Sequence, residues 1–183
     1  EWERRLPLII ETIKKLGPDI LLLQEVQKDI SKDERNQLEI LNSEIQFPYS
    51  EFSLADIKTT RKGQPLPYPV DHGLGILSKF EFNTEVTNLT KGVGDKEQRI
   101  LQINKFPDFG NMKIVNVHFS NSDEWAEAHF KEALSVLSGD RNILVGDFNI
   151  KNILKYKDLF DDSYTASSEQ YNYISYPADN LSS

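Results

Sequence analysis

Two apolar runs in this chain end abruptly in carboxylates, and that pattern restricts what it can fold into. Ile20-Leu21-Leu22-Leu23 leads into Gln24-Glu25, and Ile143-Leu144-Val145 leads into Gly146-Asp147-Phe148-Asn149. Short continuous apolar runs suit strands buried on both faces. A carboxylate at the end of such a strand is costly to bury without a partner, so an arginine, a metal ion or solvent must meet it. On spacing alone two readings of Glu25 stand: a compensated functional carboxylate, or a strand-end glutamate that has reached solvent. Gly146 allows a tight turn or a close backbone approach. Asp147 and Asn149 are two apart, so in extended chain they face the same way while Phe148 turns to the core. The plain alternative there is an Asp/Asn turn after a strand.

Between these strands the periodicity alternates. Trp2, Leu6, Ile9, Ile10, Ile13 and Leu16 recur at helical spacing, and Gly17-Pro18 ends that helix. Ser31-Lys32-Asp33-Glu34 reads as a capping box opening a second helix through Leu38, Leu41 and Ile45. Residues 47–72, with Pro48, Gly63, Pro65, Pro67 and Pro69, read as an irregular surface loop beside the strand ends that shapes substrate access. Strands are expected at 73–78, 82–88, 98–106 and 112–118. The last two should form a hairpin across Pro107-Asp108-Phe109-Gly110-Asn111. Asn121 and Glu124 suggest another capping box, before a helix with Ala126, Phe130, Ala133, Leu134 and Leu137 on its apolar face. A strand at 142–146 and a short helix within 150–160 follow, and 163–183 shows no period. Helix, strand, helix, several strands, helix, strand is the order of a mixed α/β layered fold.

The site residues are drawn from these strand ends. In Met112-Lys113-Ile114-Val115-Asn116-Val117-His118, Asn116 and His118 share one strand face while the other is apolar. Arg99, in Glu97-Gln98-Arg99-Ile100-Leu101, is either an anion-binding guanidinium or a solvated strand-edge charge. His72 reads as a loop residue and His129 as a residue on the polar side of its helix. Oxygen ligands, neutral donors and an arginine suit phosphoryl chemistry. Magnesium keeps several waters and uses one or two carboxylates, while the donors stabilise the charged oxygens. The absence of cysteine excludes disulfides and thiolate metal sites. With 21 Lys plus Arg against 29 Asp plus Glu the net charge is -8 and no basic face is evident in the sequence, which is weak evidence against non-specific binding of long duplexes, since a local patch can hide in an acidic total. No apolar run approaches the roughly 18 residues of a membrane span. Localisation stays open, with the cytoplasm favoured, and a monomer is expected.

PDILLLQEV, GLGILSK, the arginine opening QRILQINKF, KIVNVHF and ILVGDFN occur in the order found in the endonuclease/exonuclease/phosphatase superfamily, the fold of DNase I and exonuclease III. The chain resembles that superfamily over essentially its whole length. The resemblance implies an α/β (α+β) class, four-layer α/β/β/α sandwich with two mixed β-sheets. It implies that Glu25, with Asp147, binds Mg2+ or Mn2+. Asp147 and Asn149 would orient the nucleophile and the transition state. His118 would hydrogen-bond the scissile phosphate, and Arg99 would approach it. The implied reaction is metal-dependent hydrolysis of a phosphoester, a phosphodiester above all, by in-line attack of water. The substrate class spans nucleic acid, phospholipid head groups and small phosphodiesters. The Gln-Glu-Val-Gln run lacks the Gln-Glu-Thr-Lys pattern of abasic-site endonucleases, which weakens that reading. The alternative is a non-catalytic binding or scaffold domain of the same fold.

Two departures from the family pattern shape a further expectation. The superfamily's first strand, with an active-site asparagine, and its terminal Asp-His pair have no counterpart in residues 1–183. The sequence is therefore expected to be one domain lacking its first and its C-terminal strands, and inactive by itself. We predict that it is part of a longer reading frame encoding both; reading the gene on either side checks this, and a natural frame limited to these residues would contradict it.

Overall fold

The computed structural model describes residues 2–61, 63–93, 95, 97–137, 141–151 and 153–156. The chain divides into two compact units, Glu1–Asn149 and Ile150–Ser183. In the second, the described element is a 3-10 turn at Ile153–Tyr156, where a helix was expected within 150–160. The expectation of an aperiodic 163–183 lies outside the described residues.

The first unit is a layered sandwich. Helix α1 (Trp2–Leu16) leads through Gly17, whose φ of +58° only glycine adopts freely, into strand β1 (Ile20–Lys28). Helix α2 (Gln37–Ile45) follows, then strands β2 (Tyr49–Arg61), β3 (Gln64–Ser78), β4 (Asn83–Asn88), β5 (Ile100–Phe106) and β6 (Met112–His118). Helix α3 (Asp123–Val136) and strand β7 (Asn142–Asp147) complete it. One sheet has the order β1-β3-β2 and the other β4-β5-β6-β7. Of the two sheets expected to be mixed, the four-stranded one is, through the parallel β6–β7 pair; the described strands of the other are antiparallel throughout.

Period-two alternation sorts the side chains between layers. On β1, Leu21 and Leu23 face α1 and α2, joining the buried Ile13, Leu38, Leu41 and Leu77. Ile20 and Leu22 face the second sheet, packing on Ile76, Phe106 and Ile114. Of the β1 side chains only Val26 is fully buried and Glu25 is exposed; the others are partly buried, contrary to the expectation of a strand covered on both faces. Behind the second sheet, α3 buries Ala126, His129, Phe130 and Ala133.

Several expectations fail for physical reasons. The supposed loop 47–72 is mostly the β2–β3 hairpin, paired from Tyr49↔Ser78 out to Arg61↔Gln64. β1 stops pairing with β3 at Asp71, so among the described residues one edge of β3 is open over its first half. An open edge is where proline's missing N–H is tolerated, which accommodates Pro65, Pro67 and Pro69. His72 accordingly lies on a strand and is 3% exposed. His129 is fully buried, its Nδ1 accepting from the Ser120 N–H at 3.3 Å and its Nε2 lying 2.9 Å from the Thr90 carbonyl oxygen. The capping box of α2 is Asn36 with Glu39, five residues past the expected Ser31, and α3 starts at Ser122 with no side-chain cap from Asn121.

A polar thread crosses the sandwich. Gln24 Nε2 donates to Asn116 Oδ1 at 2.8 Å, Asn116 Nδ2 to Gln102 Oε1 at 3.1 Å, and Gln102 Nε2 to Ser53 Oγ at 2.9 Å. Asn116 Nδ2 also lies 3.2 Å from the carbonyl oxygens of Leu23 and Gly75. Asn116 thus joins β6 to β1 and β3 of the opposite sheet. Replacing it strands several buried polar groups, each costing about 1–3 kcal/mol. Asn116→Leu should lower unfolding free energy by about 3 kcal/mol, measured by denaturant titration; a loss below about 1 kcal/mol would show that the thread is dispensable.

Candidate active site

The direction of the strands brings the polar ends together. Ile20 and Leu22 pack beside Met112 and Ile114, and Gln24 then meets Asn116, so β1 and β6 run the same way across the sandwich. β7 runs parallel to β6, and β5 begins where β6 ends, with Leu101 opposite Val117. Glu25, His118 and Asp147 therefore emerge at one end, where Arg99 leads into β5.

Each residue is placed by a local irregularity. β1 carries one residue too many against β3: Leu23 pairs with Gly75 and Val26 with Gly73. Glu25 is the extra residue of this β-bulge, exposed, with φ of +57°. The bulge keeps Val26 on the helix-facing side, where it is 3% exposed in the core cluster. Without it Glu25 would fall on that apolar side. On β7, a Cβ at Gly146 would lie 2.0 Å from the Val117 carbonyl oxygen, and its φ is +140°, so only glycine fits. Asp147 follows, its Oδ1 accepting the Asn149 N–H at 3.2 Å. Asn149, at φ +52°, donates from Nδ2 to the Phe119 carbonyl at 3.1 Å. Phe148 meets the rings of Phe119 and Phe130 at 5.6 and 6.3 Å and anchors the turn. Both non-glycine positive-φ residues at this end are thus expected site residues, and such strain of about 1–3 kcal/mol concentrates at functional sites.

Around them lies a charge network that sequence reasoning missed in part. Arg99 is buried, and its Nη2 is 3.2 Å from Glu97 Oε2. Lys58 of β2 holds the other Glu97 oxygen at 3.1 Å. Burial alone would raise the Glu97 pKa, but the hydrogen bond and charge of Lys58, with Arg99 and His72, hold it below its ordinary value. Asp147 Oδ2 lies 3.8 Å from His118 Nε2. His118 is pushed down to about 4 by burial and by Arg99, against the opposing charge of Asp147. His72 is also pushed down to about 4, by burial first and then Lys58, while Glu97 and Glu25 oppose. Its ring centroid is 6.5 Å from that of His118. His72 and Arg99 line one small cleft with Ala55, Gly73 and His118. The available signal for His72 was parity: it shares a strand face with Val70, Leu74 and Ile76, where a polar residue is out of place.

The two strand-end carboxylates, Glu25 and Asp147, are both exposed, and among the described residues no hydrogen bond or ion pair engages the Glu25 side chain. They suit a hard cation that keeps several of its waters. Among the described residues no three His, Asp or Glu side chains converge into a closed cage.

A four-layer sandwich with polar strand ends gathered at one edge is a DNase I-like fold. The chain matches the Endonuclease/Exonuclease/phosphatase family profile over residues 2–167 and belongs to that family. Similar solved structures include an endonuclease/exonuclease/phosphatase from Beutenbergia cavernae (21% identity, TM-score 0.66, covering 80% of this chain and 42% of that one). A family protein from Leptotrichia buccalis is 15% identical (TM-score 0.63, 91% and 72% covered). The human Nocturnin catalytic domain with bound sulfate anion is 20% identical (TM-score 0.54, 93% and 64% covered). At these identities the likeness is one of fold, and the chain spans less than half the length of the first. No curated protein matches it.

Neutral buried histidines fix the sign of the acid response. Below about pH 6.5 the unfolded chain binds protons that His72 and His118 refuse until about pH 4. Stability is therefore predicted to fall as pH drops through that window. Glu97 adds a further loss at lower pH. His72, faced by Lys58, Glu97, Glu25 and His118, should supply part of the slope, so His72→Leu flattens it. Urea unfolding between pH 7 and 5 measures this; wild-type stability constant over that range would refute it.

Proposed function

We propose that this chain carries the reaction face of a divalent-metal-dependent phosphoesterase, acting on a phosphodiester by in-line attack of water. The observation that carries the reading is the convergence of Glu25, Arg99, His118, Asp147 and Asn149 at one end of the sandwich, two of them in strained left-handed backbone. Such strain is retained where a side chain must point somewhere a relaxed strand cannot send it.

Glu25 and Asp147 would hold Mg2+ or Mn2+. When bound, the ion supplies charge neutralisation for the phosphoryl oxygens and a more acidic water. Arg99, clamped by Glu97, presents a fixed positive charge to the equatorial oxygens. His118, neutral near pH 7, donates a hydrogen bond to a phosphoryl oxygen. Asp147 accepts a proton from the attacking water or orients it, and the Asn149 amide helps hold the transition state. The sulfate in the Nocturnin structure is tetrahedral and doubly charged like a phosphoryl group, which supports an anion site on this fold.

The test uses the whole protein that contains this chain. Hydrolysis of bis-p-nitrophenyl phosphate should require Mg2+ or Mn2+ and vanish in EDTA. Asp147→Asn and Arg99→Ala should each lower kcat by about 100-fold or more. EDTA-resistant turnover sinks the metal reading, and inactivity on a broad phosphoester panel favours the scaffold alternative.

Glu25 gives a readout independent of turnover. In EDTA, Glu25→Gln removes one of two like charges and should leave the protein as stable as wild type or about 1 kcal/mol more stable. With Mg2+ at a hundredfold excess over Kd, wild type should gain roughly 2.7 kcal/mol and the variant little. Equal Mg2+ shifts in thermal melts would remove Glu25 as a ligand.

A further inference from the structure

His72 occupies a position that packing does not explain. It is 3% exposed on β3, between the apolar Val70 and Leu74 of the same face. An aliphatic residue would fill that position without burying a polar atom. Its Nε2 is buried with no hydrogen-bond partner among the described residues. The contrast with His129 is direct, since that ring has both nitrogens engaged by Ser120 and Thr90. Buried polar groups are almost always satisfied, so an exception calls for a bound water, a ligand or a role.

A second exception lies in the same cleft. Among the described residues Arg99 Nε is also buried without a partner, while its Nη2 is taken by Glu97. Arg99, His72 and His118 line the cleft together, with Gly73 and Leu74. A guanidinium N–H and an imidazole nitrogen are thus both left open in one cleft. The neighbouring carboxylate, Glu97, has both oxygens held already, by Lys58 and Arg99.

We infer that His72 is a substrate-binding residue, its Nε2–H donating with Arg99 Nε–H to one oxygen of a tetrahedral phosphoryl group, the small cleft having room for that oxygen alone. The inference rests on the phosphoesterase reading and deepens it, because it assigns the oxygen subsite to β3 as well as to β5 and β6. A neutral imidazole suits that role, since it carries one proton and the anion selects the tautomer that places it on Nε2. Its neutrality near pH 7 follows from the burial that leaves the nitrogen orphaned.

The experiment is a thermal melt of the whole protein in EDTA, titrated with inorganic phosphate against sodium chloride of matched ionic strength. Wild type should be stabilised by phosphate. His72→Leu should melt no lower than wild type without phosphate, yet bind it about tenfold more weakly or worse. His72→Gln, whose amide restores a donor, should recover part of the affinity. In wild type labelled with 15N histidine, the His72 Nε2 resonance should shift on phosphate addition. If Arg99→Leu loses the phosphate response while His72→Leu keeps it and the His72 resonance is unmoved, this inference falls and the phosphoesterase reading stands. If wild type shows no phosphate response, or Arg99→Leu and His72→Leu both retain it, the cleft is not the phosphoryl site and both fall.

Discussion

The buried amide of Asn116 ties the two sheets to each other at the level of the site. It sits on β6 but reaches β1 through Gln24 and the Leu23 carbonyl, β3 through Gly75, and β5 through Gln102. Sheet-on-sheet packing through aliphatic side chains is tolerant of sliding, because dispersion contacts have little directional preference. A hydrogen-bonded amide is not tolerant, since a shift of an ångström leaves several groups unpaired inside the protein. The side chain that fixes β1 against β6 stands directly before the two carriers of the site: Glu25 follows Gln24, and His118 lies two residues beyond Asn116. Alignment of the sheets and alignment of the reacting groups are therefore one constraint.

A division of labour follows along the strands. Away from the site, β1 and β6 meet through Ile20, Leu22, Met112 and Ile114, which supply burial. Next comes the polar thread, which supplies register. Past that point the backbone leaves ordinary strand conformations at Glu25, Gly146 and Asn149. The strained residues thus begin where the strands are already held in place, and surrounding structure over-determines them. The same logic covers the cluster of Lys58, Glu97 and Arg99, whose mutual ion pairs link the β2 strand of one sheet to the approach into β5 of the other.

What the sequence disclosed depended on whether local chemistry and tertiary burial agreed. β1, β6 and β7 were legible because apolar runs broken by Glu25, His118 and Asp147 are unusual, and the family's motifs fall on those breaks. The β2–β3 hairpin was not, because Pro65, Pro67 and Pro69 are strand-breaking signals whose cost depends on a neighbouring strand, and β1 ends before it reaches them. His72 was misplaced with that hairpin. His129 was misread although it lies three residues from Ala126 and four before Ala133, on the buried face. A satisfied histidine can live there, but satisfaction depends on Ser120 and Thr90, which no helical pattern reveals. The bulge at Glu25 was equally invisible, since it exists only as a count against a partner strand. Neither Arg99's partner Glu97 nor the distant Lys58 could be paired from spacing.

That count has a genetic consequence. Removing the single codon for Glu25 would bring Gln24 and Val26 into unbroken pairing with β3, with Val26 still against the helices and Gln24 still facing Asn116. The left-handed residue would vanish, and the core would keep every contact it has. A lineage in which selection on the site relaxed would therefore not have to erode it gradually. One in-frame deletion leads from a sandwich that displays a carboxylate at this end to a quieter, less strained relative without it, and the return path requires an insertion at that same position.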